Sequence, residues 1–407
     1  MITGGVNQSY LRSYNQRSVL GAVYERGPVS KACLSRLLGI SKPAMADNVS
    51  RLISAGLLRE TGETPSPARG GRRPVLLNIN KNFRYIVIID FSYLSSRFDL
   101  YNLCGEPVSS FSVKQTPSQE FDRWISMCLN AVETLLHAQN LDGGDIAAIG
   151  ISSPGVISPY LNEIIIESVF GEFNPRILRQ RLIEKYDCPV YIKNSTNAAA
   201  LGEYTRGAGR GSACLLYISC GQGLGAGIVF EGRIYQGSRM AAGEIANFIT
   251  PETAGSGESL EKRICIGGLI GNFLGMEANR VKLSQLPPGQ EGRNEAVFEE
   301  IVALWRGGDP FLAAAVKDIA LQLGCLVSNM VMVLNCDRVV FGGEYHVFAG
   351  EILPRIREMI ETHCIVGAGI EVSQLKERAS SAGMAALCRD ACFDQICESR
   401  NTEIEGI

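Results

Sequence analysis

Histidine and closely spaced cysteines are scarce in this sequence. It has three histidines in 407 residues, and its thirteen cysteines include no CxxC or CxC pair. Structural metal sites usually need several such ligands at short spacing, so we expect no bound metal. Because no secretory context accompanies the cysteines, we expect reduced thiols in a core and no disulfide framework.

A segment of the kind that directs or anchors a chain to a membrane is also missing. Residues 1–17 are polar and contain no apolar run of the signal-peptide type. Residues 212–230 are uncharged over about the length of a membrane span, but their alternating glycines suit two short strands and a turn better. We therefore expect a cytoplasmic protein without a membrane partner.

Charge is unevenly distributed along the chain, although the net charge is only −3. Residues 1–82 carry twelve lysines and arginines against four acidic residues, whereas the rest of the chain carries 27 basic and 38 acidic residues. A basic head on an acidic body indicates that the head binds a polyanion.

The basic head has the pattern of a winged helix-turn-helix. Apolar spacing predicts a helix over residues 15–26, a second helix capped by Ser30 and ended by Gly39, and a third helix capped by Ser41. The turn between the second and third helices is then only about three residues long. Such a tight turn is typical of motifs that place a recognition helix in the major groove of DNA.

The third helix is the predicted recognition helix. Its apolar residues, which include Met45 and Val49, define a buried face. The opposite face is predicted to contact DNA through Ser41, Lys42, Ala44, Asn48 and Arg51. The side-chain amide of Asn48 is expected to pair with adenine, and Arg51 with guanine or a phosphate.

Two predicted strands, at 57–60 and 76–80, enclose a wing rich in glycine and arginine. Arg69, Arg72 and Arg73 in this wing are predicted to enter a minor groove or to bind phosphates. The alternative is a protein-interaction module followed by a solvated linker. Helix spacing, wing composition and local charge all favour DNA.

Beyond residue 83 a pattern of three strands occurs twice. The strands are predicted at 84–91, 96–101 and 107–113 and again at 213–220, 225–230 and 233–235. Alternating helices and strands follow each set, which indicates two similar α/β lobes with a cleft between them. The glycine-rich run 221–227 imitates a dinucleotide fingerprint, but a hairpin follows it where a helix is required, so we expect no nicotinamide cofactor.

Several motifs together resemble those of one family. They are Gly70-Gly71-Arg72-Arg73-Pro74, Ser153-Pro154-Gly155, the run 194–203, Ala242-Gly243-Glu244-Ile245, Gly342-Gly343 and Ala382-Gly383-Met384-Ala385. Over about residues 15–388 the chain resembles the ROK family of repressors, open reading frames and sugar kinases. The resemblance implies a winged helix-turn-helix domain at 1–82, followed at 83–407 by an actin-like, two-lobed α/β domain that closes on a hexose-type ligand.

Three departures from the kinases of this family bear on function. Their Asp-x-Gly-Gly-Thr hairpin, whose glycines let amides approach phosphates, is replaced by the run from Asp90 to Leu94, Asp-Phe-Ser-Tyr-Leu. Their general base is an aspartate where this chain has Ser195, which is no base at neutral pH. The histidine that binds zinc in many members is replaced by Asn247, and residues 254–261 contain no cysteine. We therefore expect neither kinase activity nor zinc.

The cleft residues that remain are suited to a hydroxyl-rich ligand. By the resemblance, a sugar or sugar derivative is bound by Asn194, Ser195, Glu244, Asn247 and Glu261, unless these residues are relics satisfied by their neighbours. The sequence thus predicts a transcription regulator of the repressor type that binds a double-stranded DNA operator as a homodimer or tetramer. A sugar kinase with an appended head and a ligand-independent DNA-binding protein are the alternatives.

Overall fold

The amino-terminal part of the chain folds into three helices and a small antiparallel sheet. The computed structural model describes residues 8–63, 74–92, 95–114, 121–157, 164–166, 175–250, 253–255, 257–275 and 293–402. The head contains α1 (Gln8–Arg26), β1 (Val29–Ser30), α2 (Lys31–Leu38), α3 (Lys42–Ser54), β2 (Leu58–Glu63) and β3 (Val75–Ile79). Strand β3 lies between β1 and β2, and both pairings are antiparallel. This is the predicted winged helix-turn-helix, with β1 as a strand that the sequence pattern did not reveal.

Hydrogen bonds from side chains fix where the helices of the head begin. The hydroxyl of Ser30 accepts a hydrogen bond from the Cys33 amide at 3.3 Å, and that of Ser41 accepts one from the Ala44 amide at 3.5 Å. Gly39 ends α2 in the left-handed conformation, with φ 67°. The predicted caps and the tight turn between α2 and α3 are therefore confirmed.

The first lobe of the body is a five-stranded sheet in the order β10-β7-β4-β5-β6. Its strands are β4 (Tyr85–Phe91), β5 (Ser96–Asn102), β6 (Pro107–Val113), β7 (Ile146–Ser153) and β10 (Val190–Asn194). Strands β4, β7 and β10 are parallel, and β4, β5 and β6 form an antiparallel meander. Helices α4 (Phe121–His137) and α5 (Pro175–Tyr186) belong to this lobe, and a separate two-stranded sheet pairs β8 (Val156–Ile157) with β9 (Ile164–Ile166).

The second lobe repeats the same strand order. Its strands are β11 (Cys214–Cys220), β12 (Leu224–Phe230), β13 (Arg233–Ile234), β14 (Arg338–Gly342) and β15 (Gly369–Val372). Read in the same direction as the first lobe, their order is β15-β14-β11-β12-β13. Its helices are α7 (Leu260–Ile264), α8 (Ile266–Gly275), α9 (Arg293–Arg306), α10 (Pro310–Leu334) and α11 (Ala349–His363). Each predicted strand of both sets is found within one residue of its predicted ends, so the duplication is confirmed.

Helix α10 is the single helix, among the described residues, that is long and apolar enough to cross a membrane. Its most apolar 18 residues have a mean hydropathy of 1.6, yet 56% of that window is buried inside the protein. Leu312, Val316 and Leu323 are among its residues in the large core of the second lobe. Burial of this kind is typical of a core helix in a globular domain.

Two helices, α6 (Ser195–Arg206) and α12 (Ala379–Thr402), cross in close contact. A Cβ atom at Gly202 would overlap the carbonyl of Ala379, and one at Gly383 would overlap the carbonyl of Ala198. Only glycine permits this backbone-to-backbone approach. Because such close packing resists sliding, α6 and α12 behave as one stiff unit.

Helix α1 begins earlier than the prediction of residue 15, and it packs along α12. In the added turns, the hydroxyl of Ser13 donates to the carbonyl of Cys397 at 3.0 Å. Arg17, within the predicted part of the helix, forms ion pairs with Asp390 at 3.1 Å and Asp394 at 2.6 Å. The turns before residue 15 were not predicted, because a polar contact to a distant segment, such as that of Ser13, does not show in the local sequence.

Candidate functional site

A cavity of about 450 Å³ lies between the two lobes. Its walls contain all five residues predicted to bind a ligand, namely Asn194, Ser195, Glu244, Asn247 and Glu261. The family resemblance therefore assigned to one site residues that lie up to 67 positions apart in the sequence and that do line one cavity. That they bind a ligand stays a prediction.

Asn194 holds the local backbone of this cavity in place. Its side-chain oxygen accepts a hydrogen bond from the Asn197 amide at 3.0 Å and so caps α6. Its side-chain nitrogen donates to the carbonyl of Gly155 at 2.9 Å. With both ends engaged, Asn194 positions Ser195 at the first turn of α6, where the serine lines the cavity.

Two carboxyl groups from the second lobe line the cavity wall near each other. Glu261 accepts a hydrogen bond from the Leu224 amide at 2.8 Å. Partial burial raises the pKa of Glu244, and the nearby Glu261 carboxylate raises it further. An acceptor pair of this kind is suited to the hydroxyl groups of a carbohydrate.

Asp90 is a cavity residue that the sequence reasoning did not include among the ligand-binding residues. It lies in the buried part of β4, one residue before the strand ends, and accepts a hydrogen bond from the Ser380 hydroxyl at 3.2 Å. Burial raises the pKa of Asp90 to about 7, the Asp99 carboxylate adds to the rise, and hydrogen bonds from Ser152 and Ser380 oppose it. Its place at the start of the altered Asp-x-Gly-Gly-Thr hairpin was the available signal.

The segment that corresponds to the phosphate-binding hairpin of the family's kinases lies between β4 and β5. The Ser92 amide donates to the Ser95 carbonyl at 3.0 Å, and residues 93 and 94 lie outside the described part of the chain. Phe91 is buried, with its ring centre 4.8 Å from that of Trp124. Ser92 itself lines the cavity in the place of the first of the two glycines.

The residues around Asn247 do not fit the zinc site implied by the family resemblance. The side chain of Asn247 lacks the imidazole nitrogen with which a histidine binds zinc, and Cys265 is buried in the hydrophobic core. Within the described ranges, no group of three or more histidine, cysteine or acidic side chains is placed to hold a metal ion.

The structure corrects one residue of the predicted DNA-binding face. Asn48 is only 3% exposed, and its side-chain nitrogen donates to the Ala44 carbonyl at 2.8 Å. It lies three residues after buried Met45, on the edge of the apolar stripe, so it does not present its amide to a base. Asn48 is therefore removed from the recognition surface.

The other predicted residues of α3 keep an accessible position. Ser41 and Lys42 are exposed, and Ala44 and Arg51 are half-buried. The guanidinium of Arg51 forms an ion pair with Asp47 at 3.0 Å. Ala46 and Ser50 are also exposed on this helix, although they were not among the predicted residues. Arg69, Arg72 and Arg73 of the wing lie outside the described residues.

A cluster of polar contacts joins the head to the body. The guanidinium of Arg206, at the last turn of α6, donates to the hydroxyl of Tyr24 on α1 at 3.0 Å and also contacts the carbonyl of Cys104. The Arg389 guanidinium, on α12, lies over the ring of Tyr24 at 4.0 Å from its centre. Tyr24 thus contacts both helices of the stiff α6–α12 pair.

Two groups are found among the known proteins that are similar to this chain. The first includes the xylose repressors of Caldicellulosiruptor bescii, 27% identical over 94% of this chain and 96% of that protein, and of Bacillus subtilis, 24% identical over 96% and 98%. The second includes the glucokinase of Halalkalibacterium halodurans, 25% identical over 74% of this chain and 93% of that protein.

Solved structures show the same division. A ROK family transcriptional regulator, described as a homologue of the E. coli MLC protein, superposes with a TM-score of 0.78 at 22% identity, covering 97% of this chain and 99% of its own. A ROK family glucokinase from Streptomyces griseus in complex with glucose and AMPPNP gives a TM-score of 0.61 at 22% identity, covering 75% and 99%. These likenesses establish the fold, with the actin-like body shared with sugar kinases.

The family model described as "ROK family" matches residues 99–391, which is most of the body. Together with the two duplicated lobes and the cleft between them, this match shows that the chain belongs to the ROK family.

Proposed function

We propose that this protein is a DNA-binding transcriptional repressor whose affinity for its operator is controlled by a sugar or sugar derivative in the interlobe cavity. The observation that carries the proposal is the course of α6. This helix begins at Ser195 in the cavity wall and ends at Arg206, which contacts Tyr24 of the head. A change at one end of a rigid helix reaches the other end within a single element.

The helix pair α6–α12 supports this route. Buried Glu203 of α6 accepts hydrogen bonds from the Ala208 amide, the Leu375 amide and the Ser373 hydroxyl, so the helix is also fixed to the second lobe. A movement of the lobes around a ligand therefore displaces the surface on which α1 rests. For such a switch, the ligand must bind the two arrangements with different affinity.

The relatives support the DNA-binding part of the proposal. The xylose repressors match almost the whole chain, whereas the glucokinase matches about three quarters of it. The basic head, with its exposed Lys42 and its capped recognition helix, supplies a surface for a polyanion.

The cavity supports a sensing role over a catalytic one. Ser195 stands where the resemblance places the general base of the kinases, and a serine hydroxyl is no base at neutral pH. A missing general base alone lowers a rate by about two to four orders of magnitude. We propose a non-enzymatic, cytoplasmic protein that acts as a dimer or tetramer, because paired heads read half-sites about one helical turn apart.

Retention of genomic DNA fragments on the purified protein, followed by release with a panel of unmodified pentoses, hexoses and amino sugars, tests the proposal. We expect specific fragments to be retained and one sugar class to release them. Coupled ADP release with the same sugars tests the alternative of a kinase. Brisk turnover, or no retention of DNA at low salt, would overturn the proposal.

A further inference from the structure

The side chain of Glu344, in the second lobe, lies against the loop that joins β11 to β12. Glu344 follows Gly342-Gly343 at the end of β14 and starts a short 3-10 turn. Its carboxylate accepts a hydrogen bond from the Gln222 amide at 3.1 Å. A side chain at Gly221 would overlap this same carboxylate, so the glutamate lies directly against the glycine backbone.

The contact has the chemistry of anion binding. Backbone amides of a glycine-rich turn bind phosphate oxygens because no side chain blocks the approach. A carboxylate and a phosphate are both anionic acceptors for such an amide, and one amide cannot serve both at full strength. In this chain the amide of Gln222 is already used by an internal carboxylate.

The negative charge of the cavity wall also disfavours the binding of phosphate groups. The acidic side chains that line it are Asp90, Glu244, Glu261, Glu344 and Glu377. Among the described lining residues, Lys376 is the only lysine or arginine. Polyanions are repelled by an acidic, partly enclosed wall, whereas an uncharged polyol is not.

We propose that the carboxylate of Glu344 takes the place of a phosphate group at the backbone of the β11–β12 loop and so prevents phosphate from binding there. The cavity therefore binds uncharged, unphosphorylated carbohydrates in preference to nucleotides and sugar phosphates. Only the carbohydrate part rests on the proposed function. The exclusion of phosphate by Glu344 stands on the geometry of the loop.

Three variants of the full chain separate the effect of the Glu344 contact with the loop from the effect of net charge in the cavity. Glu344→Ala removes both the charge and the acceptor, and Glu344→Gln keeps an acceptor of the same shape without the charge. Glu377→Ala is the matched control, because it removes one negative charge from the same cavity wall and has no hydrogen bond to the loop among those described. Thermal melting checks that each variant is folded.

The probes are MgADP and inorganic pyrophosphate, measured by titration calorimetry, with the neutral sugar panel in parallel. We expect MgADP affinity to rise at least about tenfold in Glu344→Ala, the size expected when a charged competitor for an amide is removed, with Glu344→Gln in between. Glu377→Ala should raise MgADP affinity by no more than about twofold, since Glu377 is exposed and its charge is screened at physiological salt.

Equal gains in Glu344→Ala and Glu377→Ala would overturn the assignment to the loop, as would tight MgADP binding by the unmodified protein or no gain in Glu344→Ala. If no sugar binds while Glu344→Ala gains affinity for MgADP, the proposed function fails and the role of Glu344 stands. If a neutral sugar binds and the variant shows no gain, the role of Glu344 fails and the proposed function stands.

Discussion

The Arg389 guanidinium lies over the Tyr24 ring at 4.0 Å, so a buried cation of the carboxyl-terminal helix is stacked on an aromatic side chain of the first head helix. Arg206 approaches the hydroxyl of the same tyrosine. Tyr24 of the head therefore contacts both α6 and α12, the two helices that pass beside the cavity. Its ring provides packing and cation–π attraction, and its hydroxyl accepts from Arg206 of α6 and donates to the Cys104 carbonyl at 3.4 Å.

Tyr24→Phe separates these two contributions. The variant keeps the ring under Arg389 and loses the hydrogen bonds of the hydroxyl, from Arg206 and to the Cys104 carbonyl. We therefore expect DNA affinity without sugar to stay within about twofold and the sugar-induced loss of affinity to shrink by about 1 kcal/mol. Fluorescence anisotropy of labelled operator DNA, with and without sugar, measures both quantities.

Tyr14→Phe is the control for this substitution. Tyr14 lies on the same helix but is 62% exposed, so the loss of its hydroxyl should change neither quantity. A Tyr24→Phe variant that responds to sugar like the unmodified protein would show that α6 is not the route to the head.

The corrected face of α3 leads to a prediction for DNA binding. Lys42→Ala should weaken binding to all duplexes and lower the slope of log affinity against log salt by about one unit, because Lys42 is exposed at the start of the recognition helix. Lys317→Ala, the same change at an exposed position of α10, should leave the slope unchanged.

Asn48→Ala tests the correction itself. The buried amide of Asn48 bonds only within α3 among the hydrogen bonds described, so we expect the ranking of operator sequences to be the same as in the unmodified protein. A loss of preference for one base pair of about 1–3 kcal/mol would show that Asn48 reads adenine after all.

The sequence predicted elements well where local pattern decides structure. The turn at Glu231-Gly232 has positive φ at both residues, as a two-residue hairpin requires, and the strands on either side were placed within one residue. Helix caps at Ser30 and Ser41 were predicted for the same reason, since a cap depends on a residue three positions away at most.

Long-range contacts decided what could not be predicted. The burial of Asn48 depends on how α3 turns toward the core of the head, and an apolar stripe has an edge that periodicity alone does not define. The contact of Glu344 with Gln222 joins residues 122 positions apart. Nothing in either segment alone indicates that a carboxylate lies on that loop.

Asp90 makes the stability of the protein depend on pH. Its pKa rises from the ordinary value of 3.8 to about 7 because the group is buried, so the folded state holds its proton over a range in which the unfolded chain has lost it. The contribution of Asp90 to the free energy of unfolding therefore falls as the pH rises from about 4 to about 7 and is constant above that.

Asp90→Asn should remove this dependence. We expect the variant to be more stable than the unmodified protein at pH 8, by about 1–4 kcal/mol, and closer to it in stability at pH 5. Urea unfolding at the two pH values measures the difference, and Asp122→Asn at an exposed position of α4 is the control. If Asp90→Asn keeps the same change of stability with pH as the unmodified protein, the dependence arises from another group.

Glu261 is expected to affect ligand binding in two distinguishable ways. Its carboxylate accepts from the Leu224 amide and raises the pKa of Glu244, which lines the same cavity. Glu261→Gln removes a charged acceptor, so we expect sugar affinity at a pH of about 7.5 to fall by about 10- to 100-fold, equivalent to the loss of a hydrogen bond to a charged group.

The same substitution should move the pH profile of sugar binding. A sugar hydroxyl that donates to ionised Glu244 loses its acceptor as the pH falls through the raised pKa of that group, so binding weakens on the acidic side. Without the Glu261 charge the pKa of Glu244 returns toward its ordinary value, and the acidic limb should shift to lower pH. Titration calorimetry across the acidic and neutral range follows both effects, with exposed Glu371→Gln as the control. A fall in affinity with an unmoved acidic limb would place Glu244 outside the set of groups that hydrogen-bond the sugar.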